Sequence, residues 1–354
     1  MKYIIISCFI YFSFSFCTPS FGFGTLSDRY AAQAIQGRLG PVRALLSEAE
    51  FNGSPTEQDL ARRFRERFVD QTEPLSPVSG SKLVDDIVSA YRDYWIDALM
   101  IEAKEQAGVP RLQQKVAAAL RADGWPLAVG IDPIALQRAL VTAVRAQGFY
   151  ALPAPALPLQ DLLLWRGQSE SRFKVELTDQ WREVNVVFLS DFVSQGWKHY
   201  AALGLVTTSG WIESGVLYCV DQAYDPGTEA FGVSYLKHES RHLADMERFP
   251  GLPAADLEYR AKLTELAFAS DTLRGLLEDF TTRSALNSEA PHAEANYRVT
   301  HDLYRELYGR PFAGNRNAWM TLDTARVNGA ARRLLQRDSS RRAVEYGYRE
   351  NRQR

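Results

Sequence analysis

The stretch at residues 235–269, YLKHESRHLADMERFPGLPAADLEYRAKLTELAFA, decides how this chain is read. It contains His238-Glu239-Ser240-Arg241-His242, an H-E-x-x-H pattern. Residues four apart on a helix lie on one face, a turn from each other. His238 and His242 can therefore aim two imidazoles at one Zn²⁺, with Glu239 beside the ion as general base. The neighbouring residues carry helical signals. Tyr235, Leu236, Leu243, Met246 and Phe249 are apolar, and Pro250-Gly251 closes the run. The chain has only five histidines, and two of them stand at this ligand spacing.

The motif resembles that of the zincin metallopeptidases, and within them the gluzincins, whose third ligand is a glutamate on the next helix. The resemblance covers about a tenth of the chain at motif level. It implies His238 and His242 as ligands and Glu239 as base. The metzincin branch requires Gly and His three and six residues after the second histidine. Asp245 and Arg248 stand there, which excludes that branch.

Asp245 lies on the histidine face, but three ligands along one helix would spread over about 10 Å. A tetrahedral zinc with bonds of about 2 Å does not close that span. Asp245 is therefore expected to support or cap, and the third ligand to come from the helix after Pro253. Glu258 and Glu265 share a face there, and distance along the returning helix does not choose between them. Crossing helices diverge away from their connection, which favours Glu258. Glu258-Tyr259-Arg260-Ala261 also looks like the E-x-x-A stretch that carries the ligand in several gluzincin-like families. Glu265 would then orient a histidine N–H. Both stay candidate metal residues.

Farther on, Tyr297, His301, Tyr304 and Tyr308 recur at helical spacing. Gluzincin-like sites use a Tyr or His to stabilise the oxyanion. His301 is thus a candidate catalytic residue, with Tyr304 and Tyr297 behind it. His199 and His292 have no partner in sequence and are read as surface or structural residues.

Met1-Lys2-Tyr3 is followed by an apolar run at 4–16 and small residues to Gly22. This reads as a secretory signal peptide over residues 1–22, too short to span a bilayer comfortably. Cys17 raises lipidation, but Phe14-Ser15-Phe16 lacks the aliphatic and small residues of such a site. Cleavage after Ser20 or Gly22 leaves Cys219 without a disulfide partner. The expected location is periplasmic or secreted, with no transmembrane segment after signal removal. A formal net charge of −2 gives no sign of a nucleic-acid partner. A peptide or protein substrate is expected instead.

Residues 23–151 are patterned as helices. Ser54-Pro55-Thr56-Glu57 is a capping box with Pro at the first helical position. Leu83, Val84, Ile87, Tyr91, Trp95, Ala98 and Leu99 mark one apolar face. This half reads as a helical accessory domain, ended by a stiff linker at 152–158 (LPAPALP). Residues 159–338 are expected to form a zincin-like catalytic domain. Strands are expected at 173–177, 184–189 and 216–220, with a turn at 207–211. The metal helix follows, then a second helix from Pro253 to about Arg283. The zincin resemblance implies an edge strand that pairs with an extended substrate, and residues 210–220 are either that edge or an ordinary hairpin under the helix. A last helix is expected to end near Arg337, with a frayed basic tail at 339–354.

The expected fold class is α+β, mainly helical, with a helical N-terminal domain and a small sheet packed on the H-E-x-x-H helix. The expected function is an exported zinc-dependent metallopeptidase. The alternative is an exported helical binding protein with a structural metal or no metal.

Overall fold

The computed structural model describes residues 15–17, 25–100, 108–156, 158–286, 290–314, 316–319 and 322–353. Most of the expected leader lies outside them. The fold is α+β and mainly helical. Helices α1 (Leu26–Ala34), α2 (Gly40–Asn52), α3 (Pro55–Phe64), α4 (Lys82–Met100), α5 (Val109–Ala122) and α6 (Pro133–Ala146) form the first half. Their starts are written locally. Thr25 with Asp28, and Ser54 with Glu57, make reciprocal capping boxes. Asp132 accepts from the N–H groups of Ile134 and Ala135 at the head of α6. On α4 the apolar face read from the sequence is buried.

A sheet of β1 (Ser15–Cys17), β2 (Tyr150–Ala156), β3 (Leu159–Glu176), β4 (Trp181–Gln195), β5 (Thr207–Glu213) and β6 (Val216–Val220) runs in the order β1-β5-β6-β4-β3-β2. The β4–β6 pair is parallel and the other pairs are antiparallel. The short α7 (Gly196–Ala201) lies between β4 and β5.

Two expectations are corrected here. The stretch expected to be a linker, 152–158, is largely strand: β2 pairs with β3 from Tyr150 to Ala156. It is the last strand of the sheet, so one of its edges is unpaired. Pro153 and Pro155 are two apart and present their missing donors on one side, which an edge strand tolerates. The first core also continues across this stretch. Leu39, Trp95 and Leu120 share it with Leu162, Leu164 and Trp197.

The expected turn at 207–211 is strand β5, which forms a hairpin with β6. The turn proper is Ser214-Gly215, with φ of 51° and 81°. Two successive residues at positive φ make the type I′ geometry that matches strand twist. Residues 210–220 are therefore not one free edge. β6 is interior, and the outer side of β5 pairs with β1, whose residues 15–17 lie within the expected leader, so removal of that leader would uncover the β5 edge.

The second half begins with a π-helical segment, Ala230–Lys237, that runs into α8 (His238–Arg248). This helix lies against the sheet, where Tyr235 and Leu243 share a core with Ile212, Leu217 and Cys219. A Cβ at Gly210 would lie 2.9 Å from the Tyr235 ring and 2.3 Å from the Tyr218 carbonyl oxygen. Only glycine allows β5 to approach the helical segment that leads into α8 this closely.

Beyond it lie α9 (Ala254–Phe268), α10 (Leu273–Thr282), α11 (Pro291–Tyr308) and α12 (Thr324–Gln353). The single helix expected up to Arg283 is thus two. Glu229 makes the break by accepting from the N–H groups of Ser270, Asp271 and Thr272. The frayed tail is also corrected, because α12 is 30 residues long and passes through it. Arg342 is 5% exposed and donates to Asp338 at 2.7 Å. No helix among the described residues is long and apolar enough to cross a membrane.

Candidate metal centre

α8 and α9 are antiparallel neighbours joined through Pro253, and their facing sides carry the chemistry. His238, His242 and Glu258 come together as a buried group that could hold a metal ion. Their donor atoms lie within 4.8 Å of one another. His238 Nε2 is 3.0 Å from His242 Nε2. Glu258 Oε1 is 3.3 Å from His242 Nε2, and Oε2 is 3.5 Å from His238 Nε2. A tetrahedron with bonds of about 2.0–2.1 Å has edges of about 3.3–3.4 Å, so these separations suit ligands around one ion.

The donor set argues the same way. His238 Nδ1 lies 2.7 Å from Glu265 Oε1. With the proton on Nδ1, the lone pair of Nε2 faces His242 and Glu258. Two imidazole nitrogens at 3.0 Å share either a proton or a metal ion between them. Glu265 is outside the three-residue group and is the partner that orients His238. The geometry thus separates the two candidate glutamates that sequence distance left together.

Glu239 is 1% exposed, and neither of its carboxylate oxygens has a hydrogen-bond partner among the described residues. Burial raises its pKa, against the pull of His238 and His242. Burial would also raise Glu258, but His292, His242 and His238 outweigh it and hold this carboxyl well below the ordinary range. At His238, burial favours the neutral form, while Glu265 and Glu258 more than offset that and lift the pKa to about 10.

The remaining residues of the motif are anchors. Arg241 is 1% exposed. It donates to Asp179 at 2.7 Å and Thr178 at 3.1 Å in the β3–β4 turn, and to Thr264 on α9 at 3.2 Å. Asp245 accepts from Arg260 at 2.7 Å.

His292 and His301 exchange places relative to the sequence reading. His301 donates from Nδ1 to the Tyr297 carbonyl at 2.8 Å, and its ring packs on Tyr297 and Phe312. Among the described residues it makes no contact with the cluster. His292 lies at the head of α11, and its Nδ1 is 2.9 Å from Glu258 Oε2. No short-range spacing could reveal this, because the approach depends on how α11 packs against α9. His199 sits on α7, where burial and Arg67, Arg92 and Arg63 push its pKa down to about 4.

No family model, curated protein or solved structure matches this chain.

Proposed function

We propose that this chain is an exported, zinc-dependent metallopeptidase. The observation that carries the reading is the buried His238, His242 and Glu258 set at tetrahedral spacing, with the unpartnered carboxylate of Glu239 adjoining it in sequence. Two imidazoles and one carboxylate as donors favour Zn²⁺ over the hard cations that take all-oxygen sites. Zinc supplies Lewis-acid polarisation of a carbonyl and makes water more acidic. Glu239 takes the proton of the attacking water and returns it to the leaving amine. Glu265 holds His238 in the tautomer that ligates. Export rests on the leader read at residues 1–22.

One observation favours a second reading, an exported helical binding protein with a structural metal. His238, Glu239, His242 and Glu258 are each no more than 3% exposed. A closed structural site has this character, whereas a peptidase must admit its substrate.

The test uses the purified mature chain. Its metal content is measured, followed by hydrolysis of a generic protein substrate with chelator and with zinc restored. Metallopeptidase activity requires chelator-sensitive cleavage that Glu239→Gln lowers by about 10²–10⁴-fold with zinc retained. Bound zinc without cleavage, in wild type and variant alike, establishes the structural reading instead.

A further inference from the structure

We propose that His292 is a positioning residue of this centre, which holds Glu258 as a one-oxygen ligand. The inference rests on the metal reading above. The two oxygens of Glu258 face different neighbours. Oε1 is 3.3 Å from His242 Nε2, inside the donor group. Oε2 is 2.9 Å from His292 Nδ1 and farther, 3.5 Å, from His238 Nε2. His292 Nδ1 stands at polar-contact distance from Oε2, which has no aligned hydrogen bond among the described residues.

His292 differs from the other members in exposure. Its side chain is 40% exposed, against 4% for Glu258. It therefore reaches the carboxylate from the solvent side, while His238 and His242 reach it from α8.

The approach is rigidly set. His292 follows Pro291, which occupies the first turn of α11. α11 packs on α9 through a common core that contains Leu263, Leu266, Val299 and Leu303. Glu258 sits on α9 and His292 on α11, so one helix contact fixes both ends of the pair.

The chemical consequence concerns coordination number. A catalytic zinc keeps three protein ligands and one open position. A carboxylate that binds through both oxygens fills that position. A histidine that claims Oε2 leaves the position free.

The experiment uses the mature chain loaded with Co²⁺, which reports coordination number through its visible absorption. Affinity is read by chelator competition. In His292→Ala, affinity falls by about 10–100-fold, the usual effect of losing a residue that orients a ligand. The cobalt absorption weakens as Oε2 turns to the ion and coordination number rises. In His292→Asn, whose amide donor stands near the position of Nδ1, both return towards wild type. Circular dichroism of the metal-free forms checks that α11 is intact.

Wild-type affinity and absorption in His292→Ala overturn the inference and leave the metal reading standing. A loss far beyond 100-fold (about that being the limit for an orienting residue) that Asn does not restore makes His292 a direct ligand, which also overturns it. Failure of the wild type to bind Co²⁺ or Zn²⁺ removes the metal reading itself.

Discussion

Arg260 and Asp245 meet as a two-point ion pair in which neither side chain is more than 1% exposed. Arg260 Nε lies 2.7 Å from Oδ2, and Nη2 lies 2.8 Å from Oδ1. The pair fastens α9 to α8 just beyond the metal residues. The remaining nitrogen, Nη1, reaches Asp338 on α12 at 2.7 Å. Arg260→Ala leaves the Asp245 carboxylate buried with, among the described residues, only Arg241, 3.6 Å away, as a cationic neighbour. The expected cost is about 3–5 kcal/mol, measured by urea denaturation of the metal-free chain. Replacing both partners by apolar residues of similar volume recovers much of it. Near-wild-type stability in Arg260→Ala would show that the pair contributes nothing.

Glu258 and Glu265 differ in what their removal does to the metal. Glu265 touches a histidine nitrogen that points away from the donor group. Glu265→Gln should weaken zinc by about 10–100-fold. Glu258→Ala removes a donor atom and should weaken it well beyond that. Competition with a chromogenic chelator ranks the two, and the opposite order would give the ligand role to Glu265.

Metal removal should lower thermal stability, because an ion that binds only the folded chain stabilises it. At a free zinc concentration about 1,000 times Kd the shift is about 4 kcal/mol. Scanning calorimetry with and without chelator reads it. His238→Ala and His242→Ala should melt at one temperature in both conditions.

The half-buried His199 gives stability a pH dependence of known sign. Its folded pKa is depressed to about 4, against 6.5 for the free side chain. Between those values the unfolded chain binds more protons than the folded one. The contribution is therefore complete above about pH 6.5 and is lost as pH falls through about 4. It amounts to no more than about 3 kcal/mol. His199→Gln should flatten the stability profile in that window, measured by denaturation at fixed pH steps. An unchanged slope would mean that His199 titrates alike in both states.

How far the sequence reached depended on the range of each interaction. Spacing along α8 brought out His238 and His242, since one turn of helix is a local rule. Glu258 was favoured because it follows the connection closely. The turn at Ser214-Gly215 is equally local, yet it went unread. The strand before it, Thr207-Thr208-Ser209-Gly210, has too little apolar alternation to stand out. The prolines of β2 read as a linker because their tolerance depends on lying at the edge of a sheet, a tertiary fact. The break between α9 and α10 is made by Glu229, which lies before the metal helix and meets Ser270 only in the folded chain. His292 is the same kind of case. Its partner is supplied by helix packing, and no pattern around Pro291 encodes it.

Cys219 turns the junction between sheet and metal helix into something that can be timed. Its side chain is fully buried in β6, in the core that also holds Tyr235. Burial pushes its thiol up to about 12, so almost none is ionised at neutral pH. A thiol reagent can modify it only when the sheet and the helix part. In a chain made without residues 1–22, and so without Cys8 and Cys17, Cys219 is the one thiol. The rate of its labelling under native conditions then counts how often this half of the molecule opens, and comparing that rate with and without zinc shows how firmly the ion clamps it shut.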